Sequence, residues 1–285
     1  MKNLKEHKNR VIPVHYLFPF ILITSCFALW GFANDITNPL VKAFSRVLMM
    51  NNFQGSLVQF AFYGGYFVMA FPAALFIKKF TYKAGILVGL GLYATGALLF
   101  IPASIAQVFG IFLIAYFILT CGLSFLETTA NPYILSMGSD ETSTQRLNFS
   151  QAFNPIGSLM GMFTAQQFIL ARLHPASAEE RAQMSAETLK QITASDLSVI
   201  RTPYVIMAFV LIGFFITVAL TKMPGHEAGV HKLNLGPTLK RLFKNTRYGH
   251  GVIAQMFYVG AQIMCWTFII HYGTEIFTSP EYEIG

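Results

Sequence analysis

The chain has 285 residues, of which 54% are hydrophobic and 15% aromatic, but only 12% are charged, against about 25% in soluble domains. This composition excludes an ordinary soluble enzyme and predicts an integral membrane protein, so the net charge of +7 indicates basic membrane-flanking loops and no nucleic-acid partner. The three cysteines lie in apolar runs and the seven histidines lack metal-ligand spacing, so no disulfide framework, metal site or cofactor is predicted.

Seven apolar segments follow one another along the chain, and each is long enough to cross a bilayer, which needs about 20 residues. The predicted spans, in order, are 14–48, 56–79, 84–102, 107–137, 147–172, 201–223 and 249–274. We interpret the first as an uncleaved span and not as a signal peptide, because it is too long and further spans follow it. The polar segment 173–200 is predicted to be an outside loop with a short amphipathic helix.

The basic residues predict the orientation. Of the 20 Lys and Arg residues, 14 lie at the N-terminus, in the loops after the second and fourth spans, and in the segment 222–247. The positive-inside rule then predicts a cytoplasmic N-terminus in a cell inner (plasma) membrane. Pro, Gly and basic residues mark 224–248 as a cytoplasmic linker. The predicted domains are a six-helix transport domain at 1–223, this linker, and the start of a second domain at 249–285.

Two acidic residues lie within apolar segments, unlike the other eleven. Glu127 precedes Asn131-Pro132 in the fourth span, and Asp35 precedes Asn38-Pro39 in the first. Intramembrane carboxyl groups usually face a bundle interior or a watery cavity, and inverted three-helix repeats are a feature of secondary transporters. Each Pro also leaves a carbonyl one turn earlier without its amide partner. The alternative is two proline kinks with neighbouring polar residues that pack between helices.

Two further groups of polar residues predict binding positions. Gln151 and Asn154 in the fifth span are three residues apart, so their amides share a helix face and suit sugar hydroxyls, or else they hydrogen-bond neighbouring helices. In the seventh span a polar and aromatic stripe either contacts a sugar or forms an interfacial or packing stripe. Its members are Gln255, Tyr258, Gln262 and Trp266.

Several segments together make the chain resemble the L-fucose/proton symporter branch of the major facilitator superfamily. They are ALWGFAND at 28–35, NNFQGSLVQFAFYGGYF at 51–67, LETTANP at 126–132, RLNFSQAFNPIGSL at 146–159 and AQMFYVGAQIMCW at 254–266. The resemblance implies an all-α polytopic membrane protein with the N-terminal domain of that fold and a seventh helix. It also implies proton-driven uptake of L-fucose or a related monosaccharide by alternating access. The partners would be a monosaccharide, protons and the lipid bilayer.

The resemblance assigns roles to residues that match the family's positions. Glu127 matches the acid linked to proton coupling, and Gln151 and Asn154 match positions that line the sugar cavity. Asp35, Asn38, Gln255, Tyr258 and Gln262 complete the predicted sugar-binding set.

Three departures from the family pattern accompany this match. The helix-1 acid of the fucose transporter corresponds to Asn38, one turn from Asp35. The loop after the second span has Lys78 where an acid is usual. The chain has seven predicted spans where the family has twelve, which we interpret as truncation.

Two other classes of function remain open at the level of sequence. A non-transporting fragment or a membrane sugar receptor would share the same polar residues in the membrane. A membrane enzyme is a third class, but the chain has no nucleophile–base pair, phosphate-binding loop or metal motif that favours it. The prediction is therefore a transporter and not an enzyme.

Overall fold

The computed structural model describes residues 11–223 and 235–277, and these residues are helical apart from turns and short extended links. The α-helices are α1 (Leu17–Val47), α2 (Asn52–Lys79), α3 (Tyr82–Leu98), α4 (Phe100–Ala106), α5 (Phe109–Ser136), α6 (Ser143–Gln151), α7 (Phe153–Thr164), α8 (Ala178–Ala182), α9 (Ala186–Leu220), α10 (Leu235–Lys244) and α11 (Thr246–Phe277).

Five helical segments of the described chain are long and apolar enough to cross a membrane. They lie in α1, α2, the pair α3–α4, α5 and α9. The fifth predicted span corresponds to α6 and α7, and the seventh to α11, which has 32 residues. The prediction of an all-α polytopic membrane protein is confirmed.

The prediction that the sixth span begins at 201 is wrong, because α9 begins at Ala186. The Ser185 hydroxyl caps this helix by accepting a hydrogen bond from the Thr188 amide at 3.3 Å. More than half of the first fifteen residues of α9 are polar. An apolar run shows which part of a helix contacts lipid, so it does not show where a helix that extends beyond the lipid begins. The expected outside loop therefore shortens to residues 173–185, and α8 is its short helix.

The prediction that 147–172 is one helix is also wrong. The break lies at Ala152, between α6 and α7, and Pro155 explains it because a proline has no amide to donate to the carbonyl of Gln151. After α7, a π-helical turn spans Ala165–Ile169 and a 3₁₀ turn spans Leu170–Arg172.

Glycines allow two helix pairs to pack at unusually short range. Gly122 of α5 lies directly against the backbone of Tyr93 in α3, and Gly157 of α7 lies directly against that of Ala28 in α1. A side chain at either glycine would collide with that backbone. Small residues at such contacts are the usual means of close packing between membrane helices.

One buried arginine joins the end of α5 to α6 and to the N-terminal segment. The Arg146 side chain is completely buried, and its guanidinium donates to the Val11 carbonyl at 3.1 Å and to the Thr142 hydroxyl at 2.6 Å. It also donates to three carbonyls at the end of α5 and just beyond, those of Ile134, Leu135 and Ser139. Five acceptors thus compensate for the loss of water around the charge.

The chain divides into two compact units, Met1–Val230 and His231–Gly285. The first contains α1 to α9 and the buried core. The second contains α10 and α11, so the predicted linker includes a ten-residue helix.

Candidate functional site

A cavity of about 550 Å³ lies between α2 and α5, and Glu127 is on its wall. The Glu127 side chain is half-buried, in a helix that crosses the membrane. The lining residues are Tyr63, Tyr66, Phe67, Ala70, Ser124, Glu127, Thr128 and Asn131. The predicted acid therefore borders a space large enough for a small polar molecule, as expected for an intramembrane carboxyl group.

Pro132 shapes the backbone beside Glu127 without ending α5. Because proline has no amide hydrogen, the carbonyl of Thr128 loses its helical donor, and Thr128 lines the cavity. The Asn131 side-chain amide donates to the Glu127 carbonyl at 3.0 Å, which fixes the orientation of Asn131. The Asn-Pro sequence thus places additional polar groups next to the acid.

Gln151 joins this group from α6. Its side-chain amide donates to the side-chain oxygen of Asn131 at 3.3 Å, and the Gln151 side chain is otherwise exposed. A hydrogen-bonded path therefore runs from Gln151 through Asn131 to the backbone of Glu127. The structure brings these two predicted site residues together through a residue that the prediction named only as part of the Asn-Pro motif.

Asn154 makes a different contact. It lies in the first turn of α7, and its amide donates to the Phe27 carbonyl of α1 at 3.3 Å. The break at Ala152 separates it from Gln151, so the two amides serve different neighbouring helices. Asn154 is half-buried and bonded to a helix, which is the contact expected from the packing interpretation.

Asp35 lies in α1, four residues before Pro39, and α1 continues through this proline. The Asp35 side chain is half-buried, and α1 packs against α2, which forms one wall of the cavity. The side chain of Asn38 lies outside the described residues.

The predicted stripe of the seventh span lies on α11, in the second unit. Gln255 and Tyr258 are exposed, and Gln262 is half-buried. The side chain of Trp266 lies outside the described residues. Their role as sugar-binding groups stays a prediction.

The cavity also has an aromatic wall, which the sequence pattern did not predict. Tyr63 and Tyr66 are three residues apart on α2 and so lie on one face. The indole N–H of Trp30, in α1, and the hydroxyl of Tyr66 are both buried. The spacing of the two tyrosines was a usable signal, but tyrosine is too common at membrane boundaries for the spacing to decide the matter.

The described residues contain no group of side chains that could bind a metal ion. Among residues 11–223 and 235–277, no three His, Cys, Asp or Glu side chains are grouped as metal ligands would be. The polar side chains that line the cavity carry one carboxyl group, one amide and several hydroxyls, which suit a neutral polyhydroxylated ligand and a proton.

The sequence pattern of the Major Facilitator Superfamily matches residues 23–283. The chain belongs to the Major Facilitator Superfamily. Within this superfamily the chain is 50% identical, over 281 residues, to an L-fucose-proton symporter of Haemophilus influenzae, covering 95% of this chain and 65% of that protein. It is 37% identical to an L-fucose-proton symporter of Escherichia coli, covering 91% of this chain and 60% of that protein.

Other members give the same picture. A glucose/galactose transporter of Brucella abortus is 32% identical, with 90% of this chain and 59% of that protein covered. A crystal structure of the Escherichia coli fucose:proton symporter superposes with a TM-score of 0.79 at 36% identity, over 91% of this chain and 63% of that one. The resemblance to L-fucose/proton symporters is thus confirmed in sequence and in fold. The chain spans less than two thirds of the length of these relatives.

Proposed function

We propose that this chain serves proton-coupled uptake of a monosaccharide, L-fucose or a related sugar, by alternating access. In this proposal it supplies the six-helix N-terminal domain at 1–223, the linker at 224–248 and the first helix of the second domain. It lies in the cell inner membrane with a cytoplasmic N-terminus. Support for the sugar comes from the relatives, two of which are L-fucose-proton symporters and one a glucose/galactose transporter.

The observation that carries the proposal is the position of Glu127. A half-buried carboxyl group on the wall of a cavity, inside a membrane-spanning helix, is energetically costly, and such groups usually mark a substrate or proton pathway. Glu127 takes a proton from the outward-facing cavity, and the neutral form is the one that an apolar environment favours. When the site opens to the other side, the proton leaves with the sugar.

Sugar recognition falls to amides, carboxyl groups and aromatic rings. Amides both donate and accept hydrogen bonds, as do the hydroxyls of a sugar. Gln151 reaches the cavity through Asn131, which supports it as a sugar ligand. Asp35 is a half-buried acid on α1, which packs against the cavity helix α2, and this supports Asp35 as a second ligand. Asn38 and Asn154 complete the set in this domain, and Gln255, Tyr258 and Gln262 extend it from α11.

The substitution Glu127→Gln tests the proposal because an amide keeps the shape of the side chain but cannot release a proton. Reconstituted into vesicles, the variant is expected to bind labelled L-fucose and to exchange it, while losing accumulation driven by an inward proton gradient. The loss is expected to equal that of the unchanged protein treated with a proton uncoupler. Glu141→Gln is the matched control, because Glu141 is exposed in the turn after α5.

Two results would decide against this assignment. If Glu127→Gln concentrated sugar in response to an imposed gradient, Glu127 would not be the coupling group, and Asp35 would be the next to test. If the unchanged chain bound sugar but never moved it across the membrane, the chain would act as a receptor or as a non-transporting fragment. Competition by D-galactose and D-glucose in the same assay identifies the sugar.

A further inference from the structure

The helix α10 has two chemically different faces. Leu239 and Phe243 are four residues apart and so lie on one side, with Leu242 beside them. Phe243 is 88% exposed and Leu239 is 40% exposed, so within the described part of the chain this apolar side is largely uncovered. Such a helix is typical of a bilayer surface, where its apolar side enters the boundary of the acyl chains.

The other face of α10 is basic and concave. Lys240, Arg241 and Lys244 line a concavity of about 460 Å³ together with Pro237 and Asn245. Two residues beyond this cavity wall, Arg247 adds another exposed cation at the start of α11. Among the residues that line the concavity there is no acidic side chain. The charge of this face is therefore complementary to phosphate groups.

The connection to α11 fixes the height of α10 relative to the bilayer. A single residue, Asn245, separates the two helices, and its side-chain oxygen caps α11 by accepting from the Tyr248 amide at 3.2 Å. The apolar sequence of α11 starts at Val252, six residues into the helix, which is about 9 Å at 1.5 Å per residue. The headgroup layer on each side of the hydrocarbon is about 5–8 Å thick, so α10 lies at the outer edge of the headgroup layer.

We infer that α10 and the start of α11 form a binding site for anionic phospholipid, with phosphates at Lys240, Arg241 and Lys244 and acyl chains against Leu239 and Phe243. The exposed Tyr248 lies at the same level, where tyrosine is enriched in membrane proteins. Because each Lys or Arg near an anionic surface strengthens binding by about fivefold, two lysines contribute roughly 25-fold. This site is separate from the cavity at Glu127 and does not depend on the identity of the sugar.

The test uses the whole chain in lipid nanodiscs, with an environment-sensitive fluorophore attached at a single cysteine. Cys26, Cys121 and Cys265 are first replaced by Ser, since Cys265 is exposed and would also react. The reporter is placed at Leu239→Cys on the apolar face or at Pro237→Cys on the basic face. We expect lipids labelled on their acyl chains to quench the first reporter and not the second.

Lipid dependence then tests the charge. Titration of phosphatidylglycerol into phosphatidylcholine nanodiscs is expected to increase the quenching at Leu239→Cys. The double variant Lys240→Gln/Lys244→Gln should need roughly 25-fold more phosphatidylglycerol for the same effect. The matched control is Lys78→Gln/Lys79→Gln, which removes the same charge from the exposed end of α2 and should leave the titration unchanged.

Three results would overturn the inference. Equal quenching with and without phosphatidylglycerol would remove the role of the cations. If both double variants lost quenching equally, the effect of phosphatidylglycerol would depend on the net charge of the protein and not on a site at α10. An apolar environment at Leu239→Cys without quenching by lipid would mean that protein, and not lipid, covers this face.

Discussion

A buried ion pair holds the segment 173–185 against α9, and its removal offers a sharp test of the structure. The side chains of Arg181 and Asp196 are 0% and 3% exposed, and their Nη2 and Oδ2 atoms are 2.5 Å apart. The other oxygen of Asp196 accepts from the His174 amide at 2.9 Å. Arg181 also donates to the carbonyls of Ala176 at 3.1 Å and His174 at 3.2 Å.

The substitution Asp196→Asn removes the charge and keeps the shape. The Arg181 guanidinium then keeps two carbonyl acceptors but has no counter-charge, and leaving one partner of a buried pair uncompensated costs about 3–5 kcal/mol. At about 1.4 kcal/mol per factor of ten, local opening of this segment becomes roughly 10²-fold to 4 × 10³-fold more frequent. The global fold of α1 to α7 should be unaffected, because the pair lies outside their packing.

Hydrogen exchange of the amides in 174–184 measures this opening directly. In Asp196→Asn, protection is expected to fall by roughly 10²-fold to 4 × 10³-fold, which is the cost of about 3–5 kcal/mol for a broken buried pair expressed as a ratio. Glu187→Gln, an exposed acid on the same helix, should change protection less than about threefold, because exposed charges contribute little.

A double variant separates the buried charge from the loss of contacts. Arg181→Met/Asp196→Leu removes both charges, and an apolar pair of similar volume is often as stable as the ion pair, so the double variant should be more protected than Asp196→Asn. Protection in Asp196→Asn within tenfold of the unchanged protein would refute the reasoning. A double variant less protected than Asp196→Asn would refute it as well.

The remaining predictions concern the membrane site and the topology. Asp35→Asn is expected to weaken sugar binding strongly in equilibrium titrations; unchanged binding would reduce Asp35 to a structural role. Ala at Gln151 or Asn154 should weaken binding by about 1–3 kcal/mol, the usual cost of leaving a buried polar partner unpaired; equal loss of folded protein would favour packing. With the native cysteines replaced, Ser185→Cys should react with an impermeant thiol reagent in whole cells and Gly236→Cys should not. Reaction at Gly236 alone would reverse the orientation.

The apolar segments predicted the bounds of a helix well where the whole helix lies within the lipid. The fourth predicted span, 107–137, corresponds to α5 (Phe109–Ser136), and the first, 14–48, to α1 (Leu17–Val47). The same signal missed the start of α9, because a helix that projects into water has no reason to be apolar there. Helix caps such as Ser185 carry that information, but a single serine is too common to decide a boundary.

The site shows a similar division. Glu127 is identifiable from sequence because an acid in an apolar run is rare and costly. The hydrogen bond from Gln151 to Asn131 depends on how α6 packs beside α5. The spacing of residues along one helix gives no information about that packing. The break at Ala152 had a signal in Pro155, but a proline also fits a continuous kinked helix, as Pro39 in α1 and Pro132 in α5 show.

The two acid-and-proline segments are related but not equivalent, and the difference is one residue. Pro39 leaves the carbonyl of Asp35 itself without a donor, whereas Pro132 leaves that of Thr128, the residue after Glu127. One residue is a rotation of about 100° on a helix, so the two carboxyl groups are presented differently to α2.

Tyr63 and Tyr66 line the cavity beside Glu127, one turn apart on α2, and α2 also packs against α1, which carries Asp35. A displacement of α2 relative to α1 and α5 would therefore change the surroundings of both carboxyl groups at once. Coupling of proton and sugar movement needs one element, here α2, that responds to both groups. A proton on one carboxyl group and a sugar on the other must favour the same conformation of the protein. We therefore expect replacement of both tyrosines by Phe to uncouple sugar movement from the proton gradient more than it weakens sugar binding.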